Sequence, residues 1–196
     1  MIDPNNQFKQ FLSQFYSTET DLNQLVRWCE VVEFKKGSCI MDAGAKQNAI
    51  FFICKGFVRK YFTTNDGQVM TAGFRMENMI CSGYSYYNST EDYKAKFSVE
   101  CLEDCKMIKI PHSMIHYIEN NGSNCDKFGK VLAENHLLEL VDFIYDKENK
   151  TILERYYNLD IKFPGILQRV PQCILATYLG ITPEYLSRVK NTKIAS

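Results

Sequence analysis

The chain has no net charge to speak of: its 196 residues hold 23 Lys and Arg against 23 Asp and Glu. No global field draws it to nucleic acid or to an anionic membrane, so any such function must be local. It also lacks a run of about 18 predominantly apolar residues free of charge, and residues 1–10 (MIDPNNQFKQ) show no basic segment leading into an apolar one. These absences predict a soluble, cytoplasmic protein without a membrane partner. Histidine is scarce, with only His112, His116 and His136. The first two are four residues apart, a spacing that can ligate zinc, but no carboxylate follows His112 as an HExxH site requires, and no metal site is expected. The eight cysteines are irregularly spaced, contain no CxxC pair and follow no secretion signal, which argues against a disulfide framework. Cys101 and Cys105 flank a predicted turn, yet buried inert thiols are the default expectation. No nucleophile motif or glycine-rich phosphate loop occurs, so no catalytic residue and no cofactor is assigned.

What is present is ample apolar material, 45% of the chain, enough for one large domain or two small ones. Residues 8–30 carry apolar side chains at helical spacing (Phe8, Phe11, Leu12, Phe15, then Leu22, Leu25, Val26, Cys29), predicting two short amphipathic helices broken near residues 17–20. From Val31 the pattern becomes short β-branched and aromatic runs: Val31–Phe34, Ser38–Met41, Ala49–Cys54, Phe57–Thr63, Gln68–Phe74, Phe97–Leu102 and Lys106–Ile110. Turn pairs such as Lys36-Gly37, Lys55-Gly56 and Asp66-Gly67 separate them. Many short strands with tight turns predict a small β-barrel or jelly roll. Pro111–Ile118 reads as a helical turn, and residues 123–150 as one helix of roughly 25 residues, about 38 Å long.

That helix is too long for so small a barrel to cover. Val131, Leu138 and Tyr145 recur every seven residues, and Leu137, Val141 and Ile144 form a second stripe beside them. One face would pack on the barrel and the other on a second copy, predicting a parallel homodimer; the alternative is one wide stripe buried within its own domain. The expected organisation is α+β, with an N-terminal barrel over residues 1–122, a dimerisation helix over 123–150 and a C-terminal helical domain over 151–196.

Although charge cancels in sum, it does not cancel in place. Residues 155–196 carry six basic side chains against Asp160 and Glu184. The same region contains QCILATYLGITPEYLSRVKN, residues 172–191. A helix-turn-helix needs a small residue at the helix contact, glycine at a left-handed turn and apolar residues facing a shared core. Ala176, Gly180 and the set Leu175, Leu179, Ile181, Leu186 and Val189 supply them. Thr182 can cap the second helix, Pro183 suits its first position, and Glu184 complements the dipole. The exposed face would carry Glu184, Tyr185, Ser187, Arg188 and Lys190, with Arg188 suited to guanine and Glu184 to cytosine. Thr182, Lys190, Gln172 and Arg169 suit phosphates of double-stranded DNA. An ordinary helical hairpin is the bland alternative.

Two stretches, Phe34–Phe74 (FKKGSCIMDAGAKQNAIFFICKGFVRKYFTTNDGQVMTAGF) and Arg169–Lys190 (RVPQCILATYLGITPEYLSRVK), make the chain resemble the Crp/Fnr family of bacterial transcription regulators over nearly its whole length. The second stretch is most like the branch found in Bacteroides-like bacteria. The resemblance implies a cyclic-nucleotide-binding-type barrel, a dimerisation helix, a DNA-reading helix, a small-molecule effector and RNA polymerase as a further contact. Carried over by position, the recognition glutamate falls on Glu184 and the following arginine on Arg188, but the preceding arginine position is Pro183, which implies a different operator from that of cyclic-AMP-responsive members. The phosphate cassette departs further: its Gly-Glu falls on Cys81-Ser82 and its arginine near Ala95-Lys96. Without that guanidinium a cyclic phosphate loses a bidentate charge-assisted bond, which Lys94 or Lys96 would replace only as a point charge. Cyclic AMP is therefore not expected; Cys81, Ser82, Tyr84, Tyr86, Tyr87, Lys94 and Lys96 would line a pocket for another effector, unless the tyrosines merely close the barrel mouth. The clustered N-terminal cysteines that hold an iron–sulfur centre in some relatives have no counterpart. Only six residues follow Lys190, too few for the family's hairpin wing. Two other functions compete with this one. A cupin-like jelly-roll metalloenzyme would need histidines on barrel strands, and none of the three lies in a predicted strand. A ligand sensor acting through protein partners would retain the barrel but bind no duplex.

Overall fold

The computed structural model describes residues 3–16, 18–46, 48–82, 94–115 and 125–192, the side chains of residues 125–127 and 192 excepted. Two helices open the chain, α1 (Pro4–Leu12) and α2 (Glu19–Val26). Each begins where a side chain satisfies its first free amides: the Asp3 carboxylate accepts the Asn6 N–H at 3.1 Å and the Thr18 hydroxyl accepts the Asp21 N–H at 3.2 Å. Among the described residues eight strands follow: β1 (Glu30–Phe34), β2 (Cys39–Met41), β3 (Ala49–Lys55), β4 (Val58–Thr63), β5 (Val69–Arg75), β6 (Ile80–Cys81), β7 (Ser98–Cys101) and β8 (Cys105–Pro111). They form two antiparallel four-stranded sheets, ordered β1-β8-β3-β6 and β2-β7-β4-β5, facing one another as a jelly roll.

Strand β3 shows why this barrel holds together. Its residues Ala49 to Cys54 are all buried, an uninterrupted apolar run that hides any alternation because both faces are covered. Ile50, Phe52 and Cys54 pack outward under α1, α2, Met114 and Phe128, while Phe51 and Ile53 point into the barrel with Val58, Cys81, Val99 and Met107. The turn into β4 needs Gly56: its φ is +114°, and a Cβ there would sit 2.9 Å from the Cys105 Cα.

The C-terminal part consists of α3 (Cys125–Asn149), α4 (Ile152–Lys162), α5 (Ile166–Arg169), α6 (Gln172–Leu179) and α7 (Pro183–Thr192). A capping box at Thr151 and Glu154 starts α4; neither α4 nor α5 was anticipated by the periodicity of the sequence. These helices do not stand apart from the barrel. Tyr156, Leu159, Phe163, Ile166, Leu175, Leu179 and Leu186 share one core with Phe57, Phe74 and Leu102.

Helix α3 departs from expectation in which face it turns inward. Val131, expected on the dimer stripe, packs with Leu132 against the N-terminal helices of its own subunit. Beyond the barrel edge both expected stripes are exposed together: Leu137, Leu138, Val141, Ile144 and Tyr145, with Leu140, are each more than half exposed. The face turned toward the rest of the subunit carries polar groups and Phe143 instead. Glu139 pairs with Arg75, Asp146 with Lys162, and the Phe143 ring meets Tyr178 at 5.6 Å. The barrel is shorter than the helix, and only the first turns find apolar surface on it. Among the described residues no helix is long and apolar enough to cross a membrane.

Candidate nucleic-acid interface and effector pocket

Helices α6 and α7 pack against each other across a tight turn at Gly180. Gly180 ends α6 in the left-handed region (φ 73°, ψ 33°), where a side chain would be strained. The Thr182 hydroxyl accepts the Tyr185 N–H at 3.2 Å and Pro183 takes the first helical position. Leu175, Ala176, Leu179 and Leu186 are buried, and Ile181 packs against the same core. Val189 is half-buried.

This packing fixes which side chains look outward. Thr182, Glu184, Tyr185, Ser187 and Arg188 are exposed on α7, and Gln172 is exposed at the start of α6. The Arg188 guanidinium lies 5.6 Å from the centre of the Tyr185 ring one turn earlier. The backbone N–H at the helix start, with the Thr182 hydroxyl, holds the Glu184 carboxyl below its usual range. Lys190 is half-buried, its ammonium 4.9 Å from the Tyr156 ring centre.

Arg169 corrects the sequence expectation. Instead of facing a phosphate, its guanidinium is turned against the barrel. Nη1 and Nη2 donate to Glu77 Oε2 and Oε1 at 3.1 and 2.8 Å, Nη2 also bonds Glu103, and the group lies 4.8 Å from the Phe57 ring centre. Glu77 in turn accepts the Gly56 N–H at 2.9 Å. Burial pushes the Glu77 carboxyl up, but Arg169 and that amide outweigh it and hold it below the ordinary value. Two acidic loops of the barrel thus occupy the arginine, and a second tie joins Thr71 of β5 to Thr177 of α6 through their hydroxyls at 2.7 Å.

Of the expected pocket, Cys81 is buried inside the barrel and Ser82 is buried, while Lys94 and Lys96 are exposed. Tyr84, Tyr86 and Tyr87 lie outside the described residues. Ala95, beside the cassette arginine position, is buried. The sequence reading missed two buried cations. Lys60 and Arg75 are 2% and 3% exposed. Arg75 donates to its own chain at the Phe74 carbonyl (2.7 Å) and to Glu139 Oε2 of α3 (2.6 Å). Burial, helped by Arg75, pulls the Lys60 ammonium down to about 7 against the opposing pull of Cys81 and Glu139. His136, also on α3, is lowered to about 3 by burial and then by Lys60 and Arg75. The available signal was parity: Lys60 shares the inward phase of β4 with Val58, where an apolar residue belongs.

His112 is half-buried, and His116 lies outside the described residues. Among the described residues no three His, Cys, Asp or Glu side chains come together as a metal site. Burial raises the Cys54 thiol to about 11 and the Cys29 thiol to about 12. Not all thiols are interior, however, since Cys39 and Cys173 are exposed.

Residues 31–119 match the cyclic nucleotide-binding domain family. No curated protein matches the sequence. Solved structures match the whole fold at low identity. A protein from Eubacterium rectale assigned to the Crp/Fnr family of transcriptional regulators superposes with a TM-score of 0.73 at 14% identity, over 94% of this chain and 87% of that one. FixK2 from Bradyrhizobium japonicum gives 0.70 at 16% identity, over 84% and 83%. The c-di-GMP-responsive global regulator CLP of Xanthomonas campestris gives 0.69 at 11% identity, over 91% and 92%. Residues 31–119 are thus similar to the cyclic nucleotide-binding domain family, and the chain that carries them has the fold seen in solved Crp/Fnr transcription regulators.

Proposed function

We propose that the protein is a sequence-specific, DNA-binding transcription regulator, not an enzyme, that acts in the cytoplasm as a homodimer and answers to a small effector other than cyclic AMP. The observation that carries this reading is the outer face of α7, where Glu184, Tyr185, Ser187 and Arg188 are exposed over a buried Leu186. A short helix anchored by its apolar face and presenting a carboxylate, a phenol, a hydroxyl and a guanidinium fits a major groove, whose edges offer matching donors and acceptors. Arg188 would read guanine, Glu184 would accept from cytosine, and Thr182, Gln172 and Lys190 would hold phosphates, Lys190 by leaving the Tyr156 ring. Arg169 is omitted from this set because Glu77 and Glu103 occupy it.

Two copies are needed to read successive grooves, and six apolar side chains of α3, from Leu137 to Tyr145, offer the second copy its seat. A DNA-bound dimer of this kind would meet RNA polymerase as its further partner. Against cyclic AMP stand the buried Ala95 and the exposed Lys94 and Lys96, which leave the cassette without an inward guanidinium. Selection of duplexes from a random pool by the purified protein tests the reading. A two-fold symmetric motif with half-sites about 34–36 Å apart is expected; no enrichment over the starting pool overturns it.

A further inference from the structure

Cys101 ends β7, Cys105 begins β8, and both side chains are buried in the barrel core with only the turn 102–104 between them. The Cys101 thiol donates a hydrogen bond to the Cys105 sulfur. A second anchor holds the same two ends together: the Phe57 carbonyl accepts the Leu102 N–H at 2.8 Å and the Cys105 thiol at 3.7 Å. The bond from Cys101 holds the Cys105 thiol below the ordinary thiol range, whereas that bond and then burial push Cys101 above it. The two sulfurs are therefore unequal. One is suited to attack as a thiolate and its neighbour to remain protonated.

A hollow of about 270 Å³ on the barrel surface is lined by Cys105 together with Lys35, Lys55, Lys106, Glu33 and Asp104. Cys105 is 3% exposed and Cys101 0%, so only a small reagent entering by the hollow reaches the first, and the second is reached through it. The pair also underlies the contacts of Arg169. A Cβ at Gly56 would collide with the Cys105 sulfur, and the Gly56 N–H donates to Glu77. Glu103 lies in the turn itself, and these are the two acids that hold the guanidinium.

We propose that Cys105 and Cys101 are an oxidation site for hydrogen peroxide, with Cys105 the attacking thiolate and Cys101 the resolving thiol, and that the disulfide they form loosens the hold of Glu103 on Arg169. In the first step the Cys105 sulfur attacks one peroxide oxygen. An S–O bond forms, the O–O bond breaks, and the departing hydroxide takes the proton that Cys105 gave up, leaving water and a sulfenic acid. The Cys101 sulfur then attacks the Cys105 sulfur. The S–S bond forms, the S–O bond breaks, and hydroxide leaves as water with the Cys101 proton. Two thiols are oxidised to one disulfide and one peroxide is reduced to two waters. The sulfurs must close from contact to about 2 Å, so the turn that carries Glu103 has to shift.

Peptide mapping of the full chain after equimolar hydrogen peroxide, with free thiols alkylated under denaturing conditions, tests the site without any variant. The expected product is a Cys101–Cys105 disulfide that dithiothreitol reverses. Oxidation confined to the exposed Cys39 and Cys173 overturns the proposal. In Cys101→Ser the reaction should stop at a Cys105 sulfenic acid that dimedone traps; failure of a folded Cys101→Ser protein to give that adduct also overturns it. The linkage to Arg169 is read by calorimetry. The fall in Tm caused by Arg169→Ala should be roughly halved in the oxidised protein, and an equal fall in both redox states refutes the coupling.

Discussion

Replacing Arg169 by alanine separates two roles that predict opposite results. The guanidinium bridges Glu77 and Glu103 and covers the Phe57 ring. The three charged side chains are between a quarter and a third exposed, so solvent screens part of the attraction, and the two carboxylates can rehydrate once the arginine is gone. Charge-assisted hydrogen bonds are worth roughly 1.5–3 kcal/mol each when buried. With that discount, and with the Phe57 ring left uncovered, the net destabilisation should be about 2–3 kcal/mol. For a chain of this size each kcal/mol moves Tm by roughly 2–4 °C, so a fall of about 5–10 °C is expected by calorimetry. The acid side of the profile gives an independent check. The folded Glu77 carboxyl lies below its ordinary value of 4.5, so it contributes stability that is present above about pH 4.5 and is lost as pH falls through the folded value; in the variant, where only the Gly56 N–H still favours the carboxylate, this dependence should weaken. Binding to a selected duplex should keep its salt dependence, because the arginine touches no phosphate. A variant with unchanged Tm and a slope of log K against log salt shallower by about one would refute the clamp and restore the phosphate role.

Lys60→Met should stabilise the ligand-free protein at neutral pH. The folded ammonium titrates near 7 instead of 10.5, so its penalty is complete below pH 7, with a ceiling of about 5 kcal/mol at 1.36 kcal/mol per unit, and is relieved as pH rises toward 10.5. The gap in Tm between variant and parent should therefore narrow from pH 7 to pH 9, and a gap that widens would contradict the burial argument. Arg188→Ala should weaken specific DNA binding by about 1–3 kcal/mol and relax preference at a single base pair; an unaltered selected motif removes this residue from the readout. Leu138→Glu, placed among the exposed apolar side chains of α3, should leave the circular dichroism of the subunit intact and shift its light-scattering mass from dimer to monomer at micromolar concentration. An unchanged mass places the assembly surface elsewhere.

The barrel was legible because its strands are short and bounded by turns that only certain residues make. Lys55-Gly56 is such a boundary, and the backbone at Gly56 has the positive φ that its position before Val58 implies. Helices α6 and α7 and the turn between them were legible for the same reason, since Gly180 and the Thr182-Pro183 pair are local signals whose meaning does not depend on distant contacts. Strand β6 escaped notice because two residues, Ile80 and Cys81, carry no period. Helices α4 and α5 escaped because Phe163, Pro164 and Gly165 break the apolar spacing between them. The fate of Arg169 could not be read from the chain. Its partners Glu77 and Glu103 lie 92 and 66 residues away, and only tertiary packing brings the two acidic loops together beneath it. Helix α3 shows a different failure: its apolar stripes were visible, but the direction each faces depends on how far along the helix the barrel reaches.

Strand β5 touches both α3 and α6. Its last residue, Arg75, holds Glu139 of α3, and the preceding Phe74 packs 5.4 Å from the Tyr178 ring of α6. Four residues from Arg75, Thr71 bonds Thr177 on that same helix. The long helix and α6 therefore rest on one strand. Breaking the Arg75–Glu139 pair removes the tie between β5 and α3 but leaves the Thr71–Thr177 tie and the Arg169 clamp in place, so α6 and α7 should remain docked while α3 changes its relation to the barrel. The two ties are separable: Arg169→Ala should alter the docking of the C-terminal helices without disturbing the Arg75–Glu139 pair, and Glu139→Gln should do the reverse.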